Sequence, residues 1–291
     1  LVEVVGGRVH SAHLAKRGHS LGVVALAVAR LGEWARSQGV VFVAPTGNLA
    51  RGHWRGTGND IDGDRLQFGD STRNYLAGRG SRARIWLSWD RPGVNYTAEL
   101  YRDTGAEPAL VARSQPYLGD DLPNARIAAQ LEGGTYFLTV RSPDGPTNAT
   151  LRLSSPTHRL QRTTAERSLT APATGRGVVG VGAYEVDDER VAPFSSRGPT
   201  ADGRLGVDLV APARHAVAGD DEPLVGSSAA APYAGGVAAL VLDSEPGLSP
   251  REVEFRLERT AVDVGPSGTD ATAGHGLVAP GRAVDAVNAS G

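Results

Sequence analysis

The sequence predicts an α/β protein with an antiparallel β-sandwich inserted into it, and three observations indicate this fold class. Val23–Gln38 has apolar residues at helical spacing, and it is followed by Gly39 and by the all-apolar run Val40–Ala44. This order is typical of a helix that ends at a glycine and leads into a buried parallel strand. The middle of the chain changes to short segments with two-residue alternation, and the last part returns to helical periodicity. We therefore divide the chain into a first α/β part at 1–74, a β-insert at 75–155 and a second α/β part at 156–291.

The β-insert is predicted from six short segments in which polar and apolar residues alternate. Glycine, proline and aspartate separate these segments, as is typical of turns between short strands. Strands of this length and spacing indicate an antiparallel sandwich. The predicted strands are Arg84–Trp89, Thr97–Arg102, Ala109–Ser114, Arg126–Leu131, Thr135–Val140 and Thr150–Leu153.

The second α/β part contains one predicted strand and two predicted helices. Gly177–Ala183 (GVVGVGA) is apolar throughout and predicts a buried strand. Ala229–Asp243 predicts a helix of small and apolar residues. Ser249–Thr260 predicts a second helix, because it opens with serine, proline and, three positions after the serine, glutamate.

Composition excludes several classes of protein. The 291 residues are 40% hydrophobic and 21% charged, which is enough to bury a core. The net charge of −2 argues against a nucleic-acid partner. The absence of cysteine excludes disulfides, thiolate metal sites and cysteine nucleophiles. No apolar run is long enough to span a membrane, and we expect a monomer.

The segment Leu224–Leu240 (LVGSSAAAPYAGGVAAL) places two serines at the start of the helix predicted at Ala229–Asp243. A helix start offers free backbone N–H groups and a dipole that favours a developing oxyanion, so Ser228 is a candidate nucleophile. Pro232 is tolerated there because the first turn has no N–H partners to lose. The alternative is that a serine merely caps the helix. A G-x-S-x-G nucleophile elbow fits poorly because Ala230 replaces the second glycine.

Three motifs in order resemble those of the subtilisin-like serine peptidases, the subtilase family. Residues 226–232 (GSSAAAP) resemble the nucleophile motif G-T-S-x-A-A-P, with Ser227 in place of threonine and Tyr233 where histidine is common. Upstream, PFSSRGPT at 193–200 and DLVAP at 208–212 resemble the stretch before that nucleophile. VVFVAPTGN at 40–48 resembles the strand that ends in A-x-x-G-N.

The resemblance implies a subtilisin-like parallel-sheet domain of three layers, incomplete at its N-terminus. Ser228 would be the nucleophile, and the side chain of Asn48 would donate a hydrogen bond to the oxyanion. The β-insert resembles the pre-peptidase C-terminal module found in some members. The substrate-binding residues implied by the family are Ala44, Pro45, Thr46, Gly47, Gly226 and Ser227.

The catalytic triad that the family implies is incomplete in this sequence. Members carry an aspartate in D-S/T-G and a histidine in H-G-T, both before the asparagine. His19 in GHSLGVVA is a weak match, because its helix leads directly to the strand before Asn48. We expect the aspartate and the histidine to lie upstream of Leu1. The other histidines are interpreted as surface or turn residues: His10, His13, His53, His158, His215 and His275.

Asp60, Asp62 and Asp64 form an alternating acidic turn, a pattern that suits calcium as a structural ion. It falls short of an EF-hand loop because Ser71, not glutamate, stands at the twelfth position. We favour solvated turn acids, and no cofactor is required by the expected chemistry.

The sequence therefore predicts a serine endopeptidase that acts on polypeptides through an acyl-enzyme on Ser228, here without its aspartate and histidine. A non-catalytic relative that binds protein or glycan through the β-insert is the alternative. An unrelated α/β esterase is disfavoured by the missing elbow. The family resemblance implies a secreted bacterial protein, extracellular or in the cell envelope, whose signal segment is not in this sequence.

Overall fold

The computed structural model describes residues 2–5, 8–11, 30–78, 80–116, 123–216, 219 and 221–286. They fall into two units: an α/β unit formed by the described residues up to Asn48 together with residues 166–286, and a β unit formed by residues 49–165. The helices are α1 (residues 30–37), α2 (Ser227–Ser244), α3 (Pro250–Thr260) and α4 (Pro280–Asp285). The strands are β1 (Val2–Val5), β2 (Arg8–Ser11), β3 (Phe42–Pro45), β4 (His53–Thr57), β5 (Ile61–Asp62), β6 (Arg65–Leu66), β7 (Asn74–Ala77), β8 (Arg82–Trp89), β9 (Thr97–Asp103), β10 (Ala109–Arg113), β11 (Gln115–Pro116), β12 (Asn124–Gln130), β13 (Thr135–Arg141), β14 (Thr150–Ser154), β15 (Arg159–Leu160), β16 (Val178–Glu185), β17 (Arg190–Val191), β18 (Leu209–Pro212), β19 (Arg214–His215) and β20 (Leu224–Val225).

The α/β unit is organised around β16, which pairs in parallel with β3 and with β18 and antiparallel with β17. Alternate residues of these strands face opposite sides of the sheet. On one side, Val43, Val181 and Leu209 pack against alanines and valines of α2 and against Leu257 of α3. On the other side, Phe42 packs with Ala35 of α1. The sheet is therefore buried on both faces, as its all-apolar strands predict.

The predicted elements of the α/β unit are confirmed where the structure describes them. Gly39 has φ +78° and ends α1, with the Gly39 and Val40 amides donating to the carbonyls of Arg36 and Ala35. Helix α3 begins at a capping box in which the Ser249 hydroxyl accepts from the Glu252 amide and the Glu252 carboxylate accepts from the Ser249 amide. The first part of the helix predicted at 23–38 lies outside the described residues.

The β unit consists of two antiparallel sheets around one core. The five-stranded sheet has the order β11-β12-β8-β14-β4. The seven-stranded sheet has the order β10-β9-β13-β6-β5, with β7 joining β13 to β15. Leu87, Ile127 and Leu151 of the first sheet share a core with Leu100 and Leu138 of the second. All six predicted strands are present, each with its bounds within two residues of those predicted.

The boundaries of the β unit differ from those expected from the sequence. The β unit covers 49–165, whereas the expected β-insert covers 75–155. The reason is that β4 pairs with β14, β7 pairs with β13, and β15 pairs with β7, so the flanking segments belong to the same sheets. These flanking strands are only two to five residues long and lack a clear alternation.

Candidate active site

The start of α2 has a backbone that only glycine adopts easily. Gly226 precedes the helix with φ +113° and ψ −175°, a conformation that L-residues with side chains rarely take. A Cβ atom at this position would lie 2.7 Å from Asn48 Nδ2. The Gly226 amide donates to the carbonyl of Ala213 at 2.8 Å. This glycine therefore allows the helix start to approach the end of strand β3.

The two serines that follow have opposite environments. Ser227 is 1% exposed, and its hydroxyl accepts from the Gly47 amide at 3.1 Å. The same hydroxyl donates to Asn48 Oδ1 at 3.1 Å, and the Ser227 amide donates to Asn48 Oδ1 at 3.0 Å. Ser228 is exposed, and within the described residues its hydroxyl makes no hydrogen bond. Ser227 is thus a structural serine, while Ser228 offers its hydroxyl to solvent at the positive end of the α2 dipole.

The side chain of Asn48 is fixed by Ser227. Its Oδ1 atom accepts two hydrogen bonds from donors of Ser227, which determines which end of the amide is the oxygen. Nδ2 then faces the start of α2 and has no hydrogen-bond partner among the residues that the structure describes. The Ser228 backbone N–H also has no partner among the described residues, as is usual for the first turn of a helix. The start of α2 and the neighbouring Asn48 side chain therefore offer two N–H donors that no described acceptor uses.

The segment that leads to Asn48 is held by backbone hydrogen bonds. The Thr46 amide donates to the Val181 carbonyl at 3.0 Å, and the Thr170 amide donates to the Thr46 carbonyl at 2.9 Å. Gly47 has φ +104°, and a Cβ there would lie 2.7 Å from Thr170 Oγ1. Ala44 and Thr46 are fully buried, so neither side chain is exposed to solvent next to Gly47 and Asn48.

No described histidine hydrogen-bonds to Ser228. His53 contacts the Thr164 carbonyl, and His158 contacts the Gly80 carbonyl. His215 contacts the Pro212 carbonyl and stacks on Tyr233 with ring centroids 5.3 Å apart. His13 and His19 lie outside the described residues, and the side chain of His10 is not among those described. Nothing in the described part of the chain thus supplies a general base to Ser228.

The three aspartates of the acidic turn, for which calcium binding was the less favoured interpretation, are not among the described acidic groups that lie close enough to share an ion. Asp64 accepts from Arg141 Nε at 2.8 Å, and Asp60 and Asp62 are exposed. Among the described residues, the set of acidic groups close enough to share an ion is instead Asp208, Glu254 and Glu258, whose oxygens lie within 4.8 Å of one another. The sequence did not reveal this set because Asp208 is more than forty residues from the two glutamates.

We call Asp208, Glu254 and Glu258 the carboxylate cluster. Burial raises the pKa of each of these three carboxyl groups. Burial raises the pKa of Glu254 to about 7, with the Arg36 guanidinium opposing this shift and the neighbouring carboxylates adding to it. Burial and the charge of Asp208 raise the pKa of Glu258 to about 7. Arg36 forms an ion pair with Glu254, and a hydrogen bond from the Gly180 amide, 2.6 Å long, partly offsets the raised pKa of Asp208. At neutral pH the cluster therefore retains part of its protons.

Comparisons with known proteins agree with the region around Ser228. Residues 152–276 match the model of the subtilase family, described as Peptidase_S8. The chain is 38% identical over 115 residues to the halolysin-like extracellular serine protease Nep of Natrialba magadii, covering 38% of this chain and 20% of that protein. It is 30% identical over 116 residues to the serine protease AprX of Bacillus subtilis, covering 32% of this chain and 26% of that protein. The chain thus spans about a quarter or less of the length of these two relatives.

The fold resembles that of the CspB protease of Clostridium perfringens, with a TM-score of 0.60 and 19% identity. The superposition covers 93% of this chain and 64% of that one, so it includes residues of both units. At this identity the likeness concerns the fold alone. Among the described residues, no helix has the length and apolar character needed to cross a bilayer.

Proposed function

We propose that this chain is part of a subtilisin-like serine endopeptidase in which Ser228 is the nucleophile. The observation that carries the proposal is the contrast at the start of α2, where Ser227 is buried and bonded while Ser228 is exposed with a free hydroxyl. Both serine protease relatives and the subtilase match over residues 152–276 support the same reaction class.

In the proposed reaction, the Ser228 oxygen attacks the carbonyl carbon of a peptide bond while a general base accepts the hydroxyl proton. The carbonyl oxygen becomes an oxyanion and accepts hydrogen bonds from the Ser228 N–H and from Asn48 Nδ2. When the intermediate collapses, the C–N bond breaks and the base returns the proton to the leaving amine. Water then hydrolyses the ester on Ser228 by the same steps. None of these steps requires a metal or an organic cofactor.

In this proposal the base and its orienting carboxylate lie outside the described residues. Two observations support this: no described histidine hydrogen-bonds to Ser228, and the chain spans only a part of each relative. In this proposal, Pro45, Gly47 and Gly226 border the bound substrate. The buried residues Ala44, Thr46 and Ser227 hold this part of the backbone in place.

The finer assignments are also proposals. The two sheets of residues 49–165 fit an inserted β-sandwich of the pre-peptidase C-terminal kind, since all their strand pairs are antiparallel and share one core. A secreted monomer, extracellular or in the cell envelope, fits the printed description of one relative as extracellular. Binding without catalysis is disfavoured, because a binding protein has no need for an exposed serine beside two free N–H donors.

The experiment compares casein hydrolysis by the full-length protein with that of Ser228→Ala and of Ser244→Ala. We expect loss of activity by about 10⁴-fold or more in Ser228→Ala, since the nucleophile is removed. Ser244 lies at the other end of α2 and serves as the matched control, with activity unchanged. Residues 1–291 alone should show negligible activity. An active Ser228→Ala variant would refute the assignment of the nucleophile.

A further inference from the structure

A cavity of about 310 Å³ lies in the α/β unit next to the segment that leads into α2. Its apolar walls include Phe194, Ala213 and Val225, and residues 185–188 of the hairpin formed by β16 and β17 line another side. We call this space the hairpin cavity. The reaction proposed above assigns no role to Phe194, to Val225 or to the hairpin.

Two backbone hydrogen bonds connect the hairpin cavity to the helix start that carries the candidate nucleophile. The Ala213 amide donates to the Tyr184 carbonyl at 2.8 Å, and the Gly226 amide donates to the Ala213 carbonyl at 2.8 Å. Val225 lies three residues before Ser228, and a chain segment of that length spans at most about 11 Å. Because an extended peptide advances about 3.3 Å per residue, the cavity is within reach of a substrate side chain about three residues or fewer from the cleaved bond.

The β16–β17 hairpin carries more negative charge than its own arginine neutralises. Arg190 forms ion pairs with Glu185 at 2.9 Å and with Asp188 at 2.8 Å. Asp187 and Glu189 are exposed, and their carboxylates make no hydrogen bond or ion pair with any other residue that the structure describes. Both carboxylates can therefore bind a cation without breaking an existing ion pair.

Tyr184 adds a polar group to the lining of the cavity. Only 6% of this residue is exposed, and its hydroxyl makes no hydrogen bond with a described residue. Burial and the negative charge of Glu189 raise the pKa of Tyr184, so the phenol keeps its proton at neutral pH. A hydroxyl on a largely buried residue is most favourable when another atom binds it. Tyr184 therefore offers an unused oxygen to a ligand in the cavity.

Arg214 borders the same cavity and has the opposite charge. It is the register partner of Val225 in the β19–β20 pair, and its guanidinium makes no hydrogen bond or ion pair with a described residue. Together with the hairpin, four carboxylates and two guanidinium groups stand around the cavity, so the net charge there is negative. Arg214 thus weakens the attraction for a cation without reversing it.

We propose that the hairpin cavity binds a lysine or arginine side chain of a polypeptide substrate. The apolar stem of that side chain packs along Phe194 and Val225, and its cationic end binds the Asp187 carboxylate and the Tyr184 hydroxyl. Glu189 adds attraction from the same hairpin. The inference rests on the proposed peptidase function and adds a substrate class to it: polypeptides with a basic residue close to the cleaved bond.

The test uses quenched fluorescent peptides of one parent sequence. Each of the three positions on either side of the cleaved bond carries, in turn, lysine, norleucine or glutamate. Norleucine has the four-carbon stem of lysine without its charge. Hydrolysis by the full-length protein gives kcat/KM for each peptide. Binding of fluorescein-labelled versions of the same peptides to the full-length Ser228→Ala variant, measured by anisotropy, gives a second readout that does not require catalysis.

Three variants separate the cavity from net charge. The cavity variant combines Asp187→Asn with Glu189→Gln. The matched control combines Asp243→Asn with Asp285→Asn, which removes the same charge from exposed positions on α2 and α4. Arg214→Gln removes the opposing charge. All three are made in the full-length protein with and without Ser228→Ala.

At one of the six positions we expect kcat/KM and affinity to favour lysine over norleucine by about fivefold, and this preference should decrease in about 300 mM NaCl. The cavity variant should reduce the preference to below about twofold, the control should retain it, and Arg214→Gln should increase it. A wild type without lysine preference at any position would overturn the proposal, as would an unchanged preference in the cavity variant or a preference for glutamate. If the wild type hydrolyses none of the peptides, the peptidase function fails, and lysine-dependent binding to Ser228→Ala decides the cavity proposal separately.

Discussion

The two units of this protein use polar side chains in opposite ways. In the α/β unit, the candidate site consists of a few side chains with specific partners, such as Asn48, whose Oδ1 atom accepts from two donors of Ser227. In the β unit, the exposed side chains of Arg55, Arg82 and Arg84 lie on the outer face of a sheet and make no hydrogen bond or ion pair with another described residue. This difference indicates where a single substitution should have a large effect on activity. We expect large effects from one residue near Ser228 and small effects from any one of these exposed arginines.

After Ser228→Ala, the largest effect on catalysis is expected from Asn48→Ala in the full-length protein. The variant should lower kcat by about a hundredfold or more with little change in KM, because the hydrogen bond from Nδ2 forms mainly in the transition state. Steady-state kinetics on a chromogenic peptide measure both constants. An increase confined to KM would assign Asn48 to ground-state binding instead.

Ser227→Ala should have a smaller effect on the same step. The variant removes the hydroxyl that connects the Gly47 amide with Asn48 Oδ1, but the Ser227 amide still holds Asn48. One neutral hydrogen bond is worth about 1 kcal/mol, so we expect a decrease in kcat of roughly tenfold or less. Ser227→Thr keeps the hydroxyl and should retain most of the activity. If Ser227→Ala were as inactive as Ser228→Ala, the roles of the two serines would need to be reversed.

The carboxylate cluster predicts a pH dependence of stability that the β unit should not share. The pKa values of Glu254 and Glu258 are about 7 in the folded protein, against an ordinary 4.5. The folded state therefore binds more protons than the unfolded state between about pH 4.5 and 7. Stability from this source is present at low pH and is lost as the pH rises through about 7.

Glu258→Gln should reduce this loss, because glutamine has no proton to release. Comparing pH 5 with pH 8, we expect the variant to gain on the order of 2 kcal/mol relative to the wild type, or about 5 °C in Tm. Thermal unfolding of the full-length protein measures the shift, and Asp243→Asn on the exposed side of α2 is the control. Parallel pH profiles of wild type and Glu258→Gln would contradict the raised pKa.

The smallest effect on catalysis is expected from removal of the β unit. Its two ends are close together, since the Thr170 amide donates to the Thr46 carbonyl. Replacing residues 51–163 by a short Gly/Ser linker should leave hydrolysis of a small chromogenic peptide within about threefold, as for inserted domains generally. Hydrolysis of large protein substrates should decrease more. If the shortened enzyme loses the small substrate as completely as the large one, the β unit is required by the catalytic unit.

The sequence predicted the elements of both units better than it predicted their boundaries. Strands β8 and β13 alternate clearly, and α3 has a complete capping box, so local signals were sufficient there. The expected β-insert began at residue 75, whereas the β unit begins at residue 49, because β4 and β7 are short and pair with strands far along the chain. Pairing of this kind has no local signal.

The candidate site was also only partly predictable, because motifs in the sequence are local and contacts between distant residues are not. Ser228 and Asn48 were proposed from motifs, and the structure brings their segments together at the start of α2. The role of Ser227 in holding Asn48 was not predicted, because it depends on a contact between residues 179 positions apart. The carboxylate cluster also joins distant residues, and a buried carboxylate cannot be distinguished from an exposed one in the sequence.

The most direct test of the central claim is covalent labelling of the full-length enzyme with a fluorophosphonate, followed by tandem mass spectrometry. The reagent phosphonylates a serine whose hydroxyl is activated beside an oxyanion site. We predict one modified residue, Ser228, with no modification of the adjacent Ser227 and no labelling of the Ser228→Ala variant. Labelling of a different serine together with loss of hydrolysis would contradict the assignment of Ser228 as the nucleophile.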